Sequence, residues 1–315
     1  MQITDIRIDK NNRETTLHGS YDFPVAVYLD RLDKNVLGFV NWHWHDEIQL
    51  SLVTKGQVEF RVNQNTHVLK KGQGIFINSG CLHMARTAAE PDSTYICINV
   101  DTRLLAFFPG SVIEQKYIKP FLKLPGFSAV VLDGGGDWQR PLLAGIEEIY
   151  RLHTGRAFGY ELDIGLALAS IWRRLIARQS ETAPETGAGE YADQQRTKAI
   201  IAYINEHYMD KITLGEIASV ANISPGECCR FFRRAVKCTV FEYVMNYRIN
   251  RSIALLRETD LTVSQIADAT GFGSASYYIE CFKKRVSCTP RGYRNTAVRR
   301  QNAGRDKSPD VEAIN

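Results

Sequence analysis

The spacing of apolar residues changes character along the chain. Between about residues 20 and 105, short runs of alternating apolar and polar residues are separated by turn signals such as Lys55-Gly56 and Lys71-Gly72. Alternation with a period of two is typical of half-buried strands, and many short strands at this spacing are typical of a small β-barrel or sandwich. We therefore predict a β-barrel here.

After Pro109 the pattern becomes helical. Apolar residues between 142 and 152 recur on one helix face, whereas in 162–176 they cover almost the whole circumference. A helix that is apolar all round must be buried by neighbours. Packing within the chain and packing against a second copy are both open at this stage.

Composition narrows the setting. The 315 residues, 44% of them apolar, are enough for two domains. No run of eighteen apolar residues occurs and the start lacks a secretory signal, so we expect no membrane contact and a cytoplasmic location. The seven cysteines show no CxxC spacing and are interpreted as free thiols.

The net charge of +4 is unevenly distributed. Residues 1–193 contain 20 Lys and Arg against 23 Asp and Glu, whereas residues 194–300 contain 17 against 9. The boundary follows "SETAPETGAGEYAD" (180–193), a small and polar stretch predicted to be a flexible linker. A basic segment of this kind favours a nucleic-acid partner.

The basic segment contains a repeat. Residues 213–243 and 262–293 share one pattern at an offset of 49 and then 50 residues, with Ile217-Ala218 aligned to Ile266-Ala267 and Phe232 to Phe282. Each copy has a short helix, a tight break and a second helix that starts at a small polar residue. This is the helix-turn-helix geometry that places a recognition helix in the major groove of DNA.

The second helix of each copy gains basic residues after its first turns, where they can neutralise phosphates while the first turns face the bases. The apolar-periodic segment 240–260 predicts a helix between the copies, which separates them by roughly 30 Å at about 1.5 Å per residue. That distance is about one turn of DNA.

These residues carry a family resemblance. Residues 196–294, above all "ITLGEIASVANISPGECCRFFRR" and "VSQIADATGFGSASYYIECFKK", resemble the DNA-binding domain of the AraC/XylS family of bacterial transcription regulators. The resemblance implies binding to promoter DNA and RNA polymerase. By position, the implied DNA-binding residues in the two recognition helices are Gly226, Cys229, Arg230, Arg233, Arg234, Ala275, Ser276, Ile279, Glu280, Lys283 and Lys284. Arg230 is suited to guanine and Glu280 to cytosine.

The chain departs from the family pattern after each recognition helix, where Lys237 and Ser287 stand in place of glycine. Each must adopt a left-handed conformation or close the helix differently.

The N-terminal part resembles the cupin-like sensor barrel common in the same family, through "HWHDEIQLSLVTKGQVEFRV" and "LKKGQGIFINSGCLHM". His43, His45 and His83 occupy the three histidine positions of metal-binding cupins, but the carboxylate position holds Gln49, an uncharged ligand poorly suited to a divalent ion. Glu47 could compensate only if the strand shifts.

Three interpretations of the histidines remain. They line a pocket for a small polar effector together with Gln49, they are internally satisfied core residues, or they bind a metal. We expect the effector pocket and assign no metal, cofactor or catalytic residue. His18, His67, His153 and His207 stand apart in the sequence and are assigned no role.

The predicted fold is α+β with two domains, a cupin-like β-barrel followed by helices and an all-α double helix-turn-helix domain. The predicted segments are a barrel at 15–108, a helical extension that can serve dimerisation at 109–180, a linker at 181–193, a DNA-binding domain at 194–297 and a disordered tail at 298–315.

The predicted function is transcription regulation in response to a small polar effector, for which a sugar is one candidate. Two rival hypotheses belong to other classes: a metal-dependent cupin enzyme with an attached DNA-binding module, and an alkyl-transfer repair protein, which no cysteine pattern supports.

Overall fold

The computed structural model describes residues 6–35, 37–89, 91–181 and 188–295. The chain divides into two compact units, Met1–Ala202 and Tyr203–Asn315. The first is rich in β-structure and the second is helical, so the predicted fold class is confirmed. None of the helices in the described ranges combines the length and apolar character that a bilayer crossing requires.

In the part of the chain that the structure describes, nine antiparallel strands in two sheets form the barrel. They are β1 (Val25–Arg31), β2 (Phe39–His43), β3 (Ile48–Lys55), β4 (Gln57–Val62), β5 (Asn65–Lys70), β6 (Gly74–Ile77), β7 (His83–Thr87), β8 (Thr94–Val100) and β9 (Ala129–Leu132). One sheet has the order β1-β8-β3-β6-β9 and the other β2-β7-β4-β5.

The five-stranded sheet is covered on both faces, which the alternation along β3 explains. Leu50 and Leu52 belong to the apolar core beneath the helices, whereas Val53 belongs to the core between the sheets. Because side chains alternate along a strand, Gln49 and Ser51 share the face of Val53 and point to the barrel interior.

Four helices cover the outer face of this sheet. They are α1 (Arg103–Ala106), α2 (Lys119–Leu122), which follows a π-helical turn at Glu114–Ile118, α3 (Arg140–Gly155) and α4 (Tyr160–Glu181). Ile164, Leu168 and Trp172 on α4 pack into the core with Ile146 of α3. The described residues therefore cover the apolar circumference of α4 only in part, since Leu162 and Leu166 remain 68% and 63% exposed.

Two elements differ from the sequence prediction. Strand β9 lies within the segment 109–180 that was predicted to be helical, because Val130 and Val131 are β-branched and pair with the edge of β6. Helix α5 (Ala188–His207) begins inside the predicted linker 181–193, in agreement with the good helix formers of "EYADQQR". Residues 182–187 and the predicted tail 298–315 lie outside the described residues.

The second unit contains two helix-turn-helix pairs. Helices α6 (Leu214–Ser219) and α7 (Pro225–Val236) form the first, α9 (Val263–Ala269) and α10 (Ala275–Val286) form the second, and α8 (Val240–Glu258) lies between them in the chain. Thr213, Thr239 and Thr262 start α6, α8 and α9 with complete capping boxes. Such caps each contribute about 1 kcal/mol.

The two residues that replace glycine after the recognition helices adopt the left-handed conformation. Lys237 has a φ of 59° and Ser287 a φ of 61°, and each backbone N–H donates to the carbonyl four residues earlier, at Arg233 and Lys283. The helices therefore close as they would with glycine, but with the steric cost that a Cβ carries in this region.

We expect Lys237→Gly to raise the free energy of unfolding by roughly 0.5–1 kcal/mol, because glycine enters this conformation without strain. Urea titration of the full chain, followed by circular dichroism, measures the change. Lys283→Gly, which places glycine inside α10, should lower stability by about 1 kcal/mol. A loss of stability in Lys237→Gly would contradict the assignment of strain to this position.

Candidate functional sites: a buried histidine cluster and two exposed helices

Strands β2, β3 and β7 bring the predicted pocket residues together inside the barrel. His43 ends β2 and pairs in register with His83, which begins β7. Their ring centroids are 4.1 Å apart, and that of His45 lies 5.7 Å from His43 and 5.1 Å from His83. Gln49 Oε1 lies 3.0 Å from His83 Nε2 and 3.4 Å from His45 Nε2.

Hydrogen bonds to the backbone fix the orientation of the three rings. The Nδ1 atoms of His43, His45 and His83 lie 2.8, 3.1 and 2.9 Å from the carbonyl oxygens of Asn41, Glu47 and Cys81, respectively. A carbonyl oxygen only accepts, so each Nδ1 donates its hydrogen, and in the neutral ring Nε2 keeps its lone pair.

Burial keeps these rings neutral. The pKa of His43 is well below its usual value, because burial and the neighbouring His83 disfavour the charged form. Burial also lowers the pKa of His45. Burial and the neighbouring His45 together lower the pKa of His83 to about 3. The cluster therefore presents unprotonated imidazole nitrogens near neutral pH.

The structure adds two residues that sequence analysis missed. The turn at residues 8–14 lies along the end of β2, where the Glu14 N–H donates to the Trp44 carbonyl at 2.8 Å. This places Glu14 Oε2 3.6 Å from His43 Nε2 and 3.2 Å from His18 Nε2. The expectation that His18 stands apart is wrong, because its ring is buried 5.3 Å from that of His45.

Glu47 does not replace Gln49 at the centre of the cluster. Its Oε2 lies 3.5 Å from His45 Nδ1, the nitrogen that donates to the Glu47 carbonyl. Asn78 is buried and donates to the Phe121 carbonyl at 3.1 Å.

A cavity of about 620 Å³ lies beside the cluster. It is bordered by residues 78–81, residues 122–128 and the first half of α5. Cys81 lines the cavity and its carbonyl accepts the His83 N–H. From α5, Gln194 Nε2 donates to the Gly80 carbonyl at 2.7 Å, and Lys198 Nζ lies 4.0 Å from the centre of the Trp44 ring.

In the second unit, the predicted DNA-binding residues lie on the solvent side of α7 and α10. Ser224 and Ser274 cap these helices by accepting from the N–H groups of Glu227 and Tyr277. All the predicted residues are exposed except Ala275, which is half-buried. The opposite faces hold Phe232 and Phe282 in the core.

Two residues change the predicted picture of this face. Tyr277, in the first turn of α10, is 50% exposed and was not in the predicted set. Arg285 lies in the basic run of α10 but donates to Asn246 Oδ1 at 2.8 Å and to the Cys281 carbonyl, so it ties α10 to α8.

A β-barrel with a buried polar cluster, followed by two helix-turn-helix pairs with exposed basic faces, defines a ligand-responsive DNA-binding regulator. Comparisons with known proteins agree: residues 25–155 match the family model of the AraC-like ligand binding domain and residues 217–296 match that of a helix-turn-helix domain. The chain is 34% identical over 287 residues to the uncharacterized HTH-type transcriptional regulator YdeC of Bacillus subtilis, covering 91% of this chain and 97% of that protein. The chain belongs to the AraC family of transcriptional regulators.

Two further comparisons are more distant. The melibiose operon regulatory protein of Escherichia coli is 22% identical over 265 residues, which cover 82% of this chain and 85% of that protein. The crystal structure of ToxT from Vibrio cholerae covers 86% of this chain and 96% of its own length, at 12% identity and a TM-score of 0.42.

Proposed function

We propose that this AraC-type regulator senses a small polar effector in its barrel, with His43, His45, Gln49 and His83 as the polar anchors. The observation that carries the proposal is a buried polar cluster within the barrel, near a cavity of about 620 Å³ whose lining includes Cys81 but none of the four anchor residues. Small-molecule sites combine a few buried polar groups with a cavity of this volume. The melibiose operon regulatory protein among the relatives supports a sugar as one candidate effector.

The proposed DNA contacts divide into two groups. Gly226, Cys229 and Arg230 on α7 face bases together with Ala275, Ser276, Ile279 and Glu280 on α10. The later residues contact phosphates, and these are Arg233, Arg234, Lys283 and Lys284. Support comes from their exposure and from the caps that present the first turn of each helix.

We propose that the effector signal passes along α5. Trp44, between His43 and His45 in the chain, holds Lys198 of α5 by a cation–π contact, and Gly80 holds Gln194. Helix α5 continues to His207, within the second unit. A change at the histidines therefore reaches α5 through Trp44 and Gly80, which contact Lys198 and Gln194 of that helix. DNA affinity then changes with effector occupancy.

A second copy of the chain is the proposed partner of α4. Leu162 and Leu166 lie one turn apart on α4 and are 68% and 63% exposed, and Phe158, in the turn before α4, is 107% exposed. An apolar stripe of this kind is typical of a helix interface. The proposed assembly is a homodimer that works in the cytoplasm with RNA polymerase and carries out no catalytic step, as is usual for a transcription regulator.

We expect the double change Leu162→Glu and Leu166→Glu to convert dimers to monomers, because each new carboxylate would be buried without a partner. Sedimentation velocity at several protein concentrations measures the change. Ala144→Glu, at an exposed position of α3, adds the same type of charge away from the stripe and should leave the dimer intact. Equal sedimentation of all three proteins would contradict this interface.

The test of the function is selection of bound fragments from sheared genomic DNA by the full chain, at a stated salt concentration. Discrete sites with two half-elements about one helical turn apart are expected. Effectors suggested by the neighbouring genes are then titrated against operator affinity. Binding with no sequence preference, or operator affinity that no candidate effector changes, would count against the proposed function.

A further inference from the structure

The histidine cluster has more acceptors than donors. With each Nδ1 hydrogen committed to a backbone carbonyl, the Nε2 lone pairs of His43, His45 and His83 converge, and the ligand atoms of this trio lie within 4.8 Å of one another. Imidazole rings that bind a metal are oriented in this way, by donating the other ring hydrogen to a carbonyl or carboxylate.

Glu14 supplies the carboxylate that Gln49 cannot. Its side chain is 2% exposed, its Oε1 has no hydrogen-bond partner among the described residues, and its Oε2 lies 3.6 Å from His43 Nε2. Glu14, His18 and His45 also bring ligand atoms within 4.8 Å of one another. A buried carboxylate with an unpaired oxygen is costly unless a cation neutralises it.

His18 orients this carboxylate. Asn99 Nδ2 donates to the His18 ring, and Nδ1 lies 3.2 Å from the Tyr28 hydroxyl, so His18 Nε2 is placed to donate to Glu14 Oε2 at 3.2 Å. His18 therefore holds Glu14 Oε2, the oxygen that also lies 3.6 Å from His43 Nε2, and leaves Oε1 without a hydrogen-bond partner among the described residues.

We propose that the cluster binds one divalent first-row transition-metal ion, through Nε2 of His43, His45 and His83 and the carboxylate of Glu14. Imidazole suits zinc, copper, iron and nickel. Three neutral imidazoles and one carboxylate give the ligand set a single negative charge. The sequence prediction assigned no metal because it sought the carboxylate on β3, whereas Glu14 enters from a segment that precedes the barrel.

The spacing of the donor atoms is compatible with one ion. The ligand atoms of the three histidines lie within 4.8 Å of one another, and Glu14 Oε2 lies 3.6 Å from His43 Nε2. Donor atoms around a tetrahedral ion with bonds of about 2.1 Å are about 3.4 Å apart. Without an ion, Gln49 would have to turn its amide and donate to the imidazoles.

The proposal rests on the proposed function in one respect: the ion would be held by the same residues that anchor the polar effector. Metal binding is measured without DNA. If the protein binds the ion but selects no operator, the proposed function alone is contradicted. If the protein binds no metal but shows effector-dependent operator binding, the metal proposal alone is contradicted.

The test is titration of full-length, tag-free and chelator-treated protein with Co²⁺, followed by visible d–d absorption, and with Zn²⁺ in competition. One ion per chain is expected, without thiolate charge-transfer absorption, since all the ligands are nitrogen or oxygen. Wild-type protein that binds no stoichiometric Co²⁺ or Zn²⁺ overturns the proposal, whatever the variants do.

Matched variants identify the ligands. His83→Ala should weaken binding by more than about 100-fold, and His18→Ala by about 10–100-fold, the range for loss of a residue that orients a ligand; His18→Gln, which keeps a donor, should recover part of that loss. His67→Ala, on β5 of the same barrel, should bind as wild type.

The Glu14 assignment has its own test. Glu14→Gln should weaken Co²⁺ binding, and addition of Gln49→Glu should restore it by returning a carboxylate to the cluster. Co²⁺ affinity unchanged in Glu14→Gln would overturn the role of Glu14. Circular dichroism of each metal-free variant confirms that it is folded.

Discussion

Replacing Arg230 with alanine is expected to weaken operator binding by roughly 1–3 kcal/mol, or about 5- to 150-fold, and to relax base preference at one position of the site. Arg230 is exposed on α7, one turn after Gly226, and its guanidinium is near that first turn: a Cβ at Gly226 would lie 3.8 Å from Arg230 Nη1. The guanidinium is therefore placed where the helix faces base edges, and its planar fork matches guanine O6 and N7.

Lys283→Ala provides the contrast. Lys283 lies two turns into α10, where an ammonium group meets phosphate without reading sequence. Its loss should weaken binding to all DNA sequences by the same factor. It should also reduce the number of counterions released on binding, read from the salt dependence, by about one. Arg151→Ala, on α3, lowers the net charge equally and should leave operator affinity unchanged.

Binding of operator variants with every base pair substituted in turn, at two salt concentrations, separates these cases. If Arg230→Ala weakened every sequence by the same factor, Arg230 would be a phosphate contact and not a base contact.

Much of the fold was predictable because it depends on local patterns. The alternation of β3 and β8 gave the barrel, and the second unit followed from its repeat and from caps such as Ser224, whose side chain accepts within its own first turn. Strand β9 was missed because four residues between Gly126 and Gly134 are too few for periodicity to distinguish strand from helix.

The candidate site was predictable only in part, for the same reason. His43, His45 and Gln49 belong to one short motif that runs from the end of β2 in one sheet to the start of β3 in the other, so their closeness in sequence keeps them close in space. Glu14 and His18 approach them through an irregular segment whose contacts bridge 27–29 residues of sequence, and no alternation marks that segment. A buried carboxyl group without a partner is visible only in three dimensions.

Gly271→Ala is expected to destabilise the second unit by about 2–5 kcal/mol, the sum of a left-handed backbone and an overlap with rigid neighbours. Gly271 has a φ of 76°, and a Cβ there would lie 2.7 Å from the carbonyl oxygens of Tyr208 and Met209 and 2.8 Å from Met209 Cα. These are backbone atoms, which cannot rotate away as a side chain can.

The first helix-turn-helix pair provides the matched control. Asn222 occupies the equivalent position with a φ of 53°, and the next N–H closes the turn in both copies, from Ile223 to the Ala218 carbonyl and from Phe272 to the Ala267 carbonyl. Asn222 already carries a Cβ, so Asn222→Ala changes only the ease of the left-handed conformation and should cost about 1 kcal/mol or less.

All four tryptophans lie in the first unit, at positions 42, 44, 138 and 172. Gly271→Ala should therefore lower the thermal midpoint seen by helical circular dichroism while the midpoint seen by tryptophan fluorescence stays in place. Equal stability of Gly271→Ala and Asn222→Ala would mean that the Tyr208–Met209 backbone moves aside, and that glycine is required here by its φ alone. A larger loss in Gly271→Ala would show that the second turn, unlike the first, is closed against the end of α5.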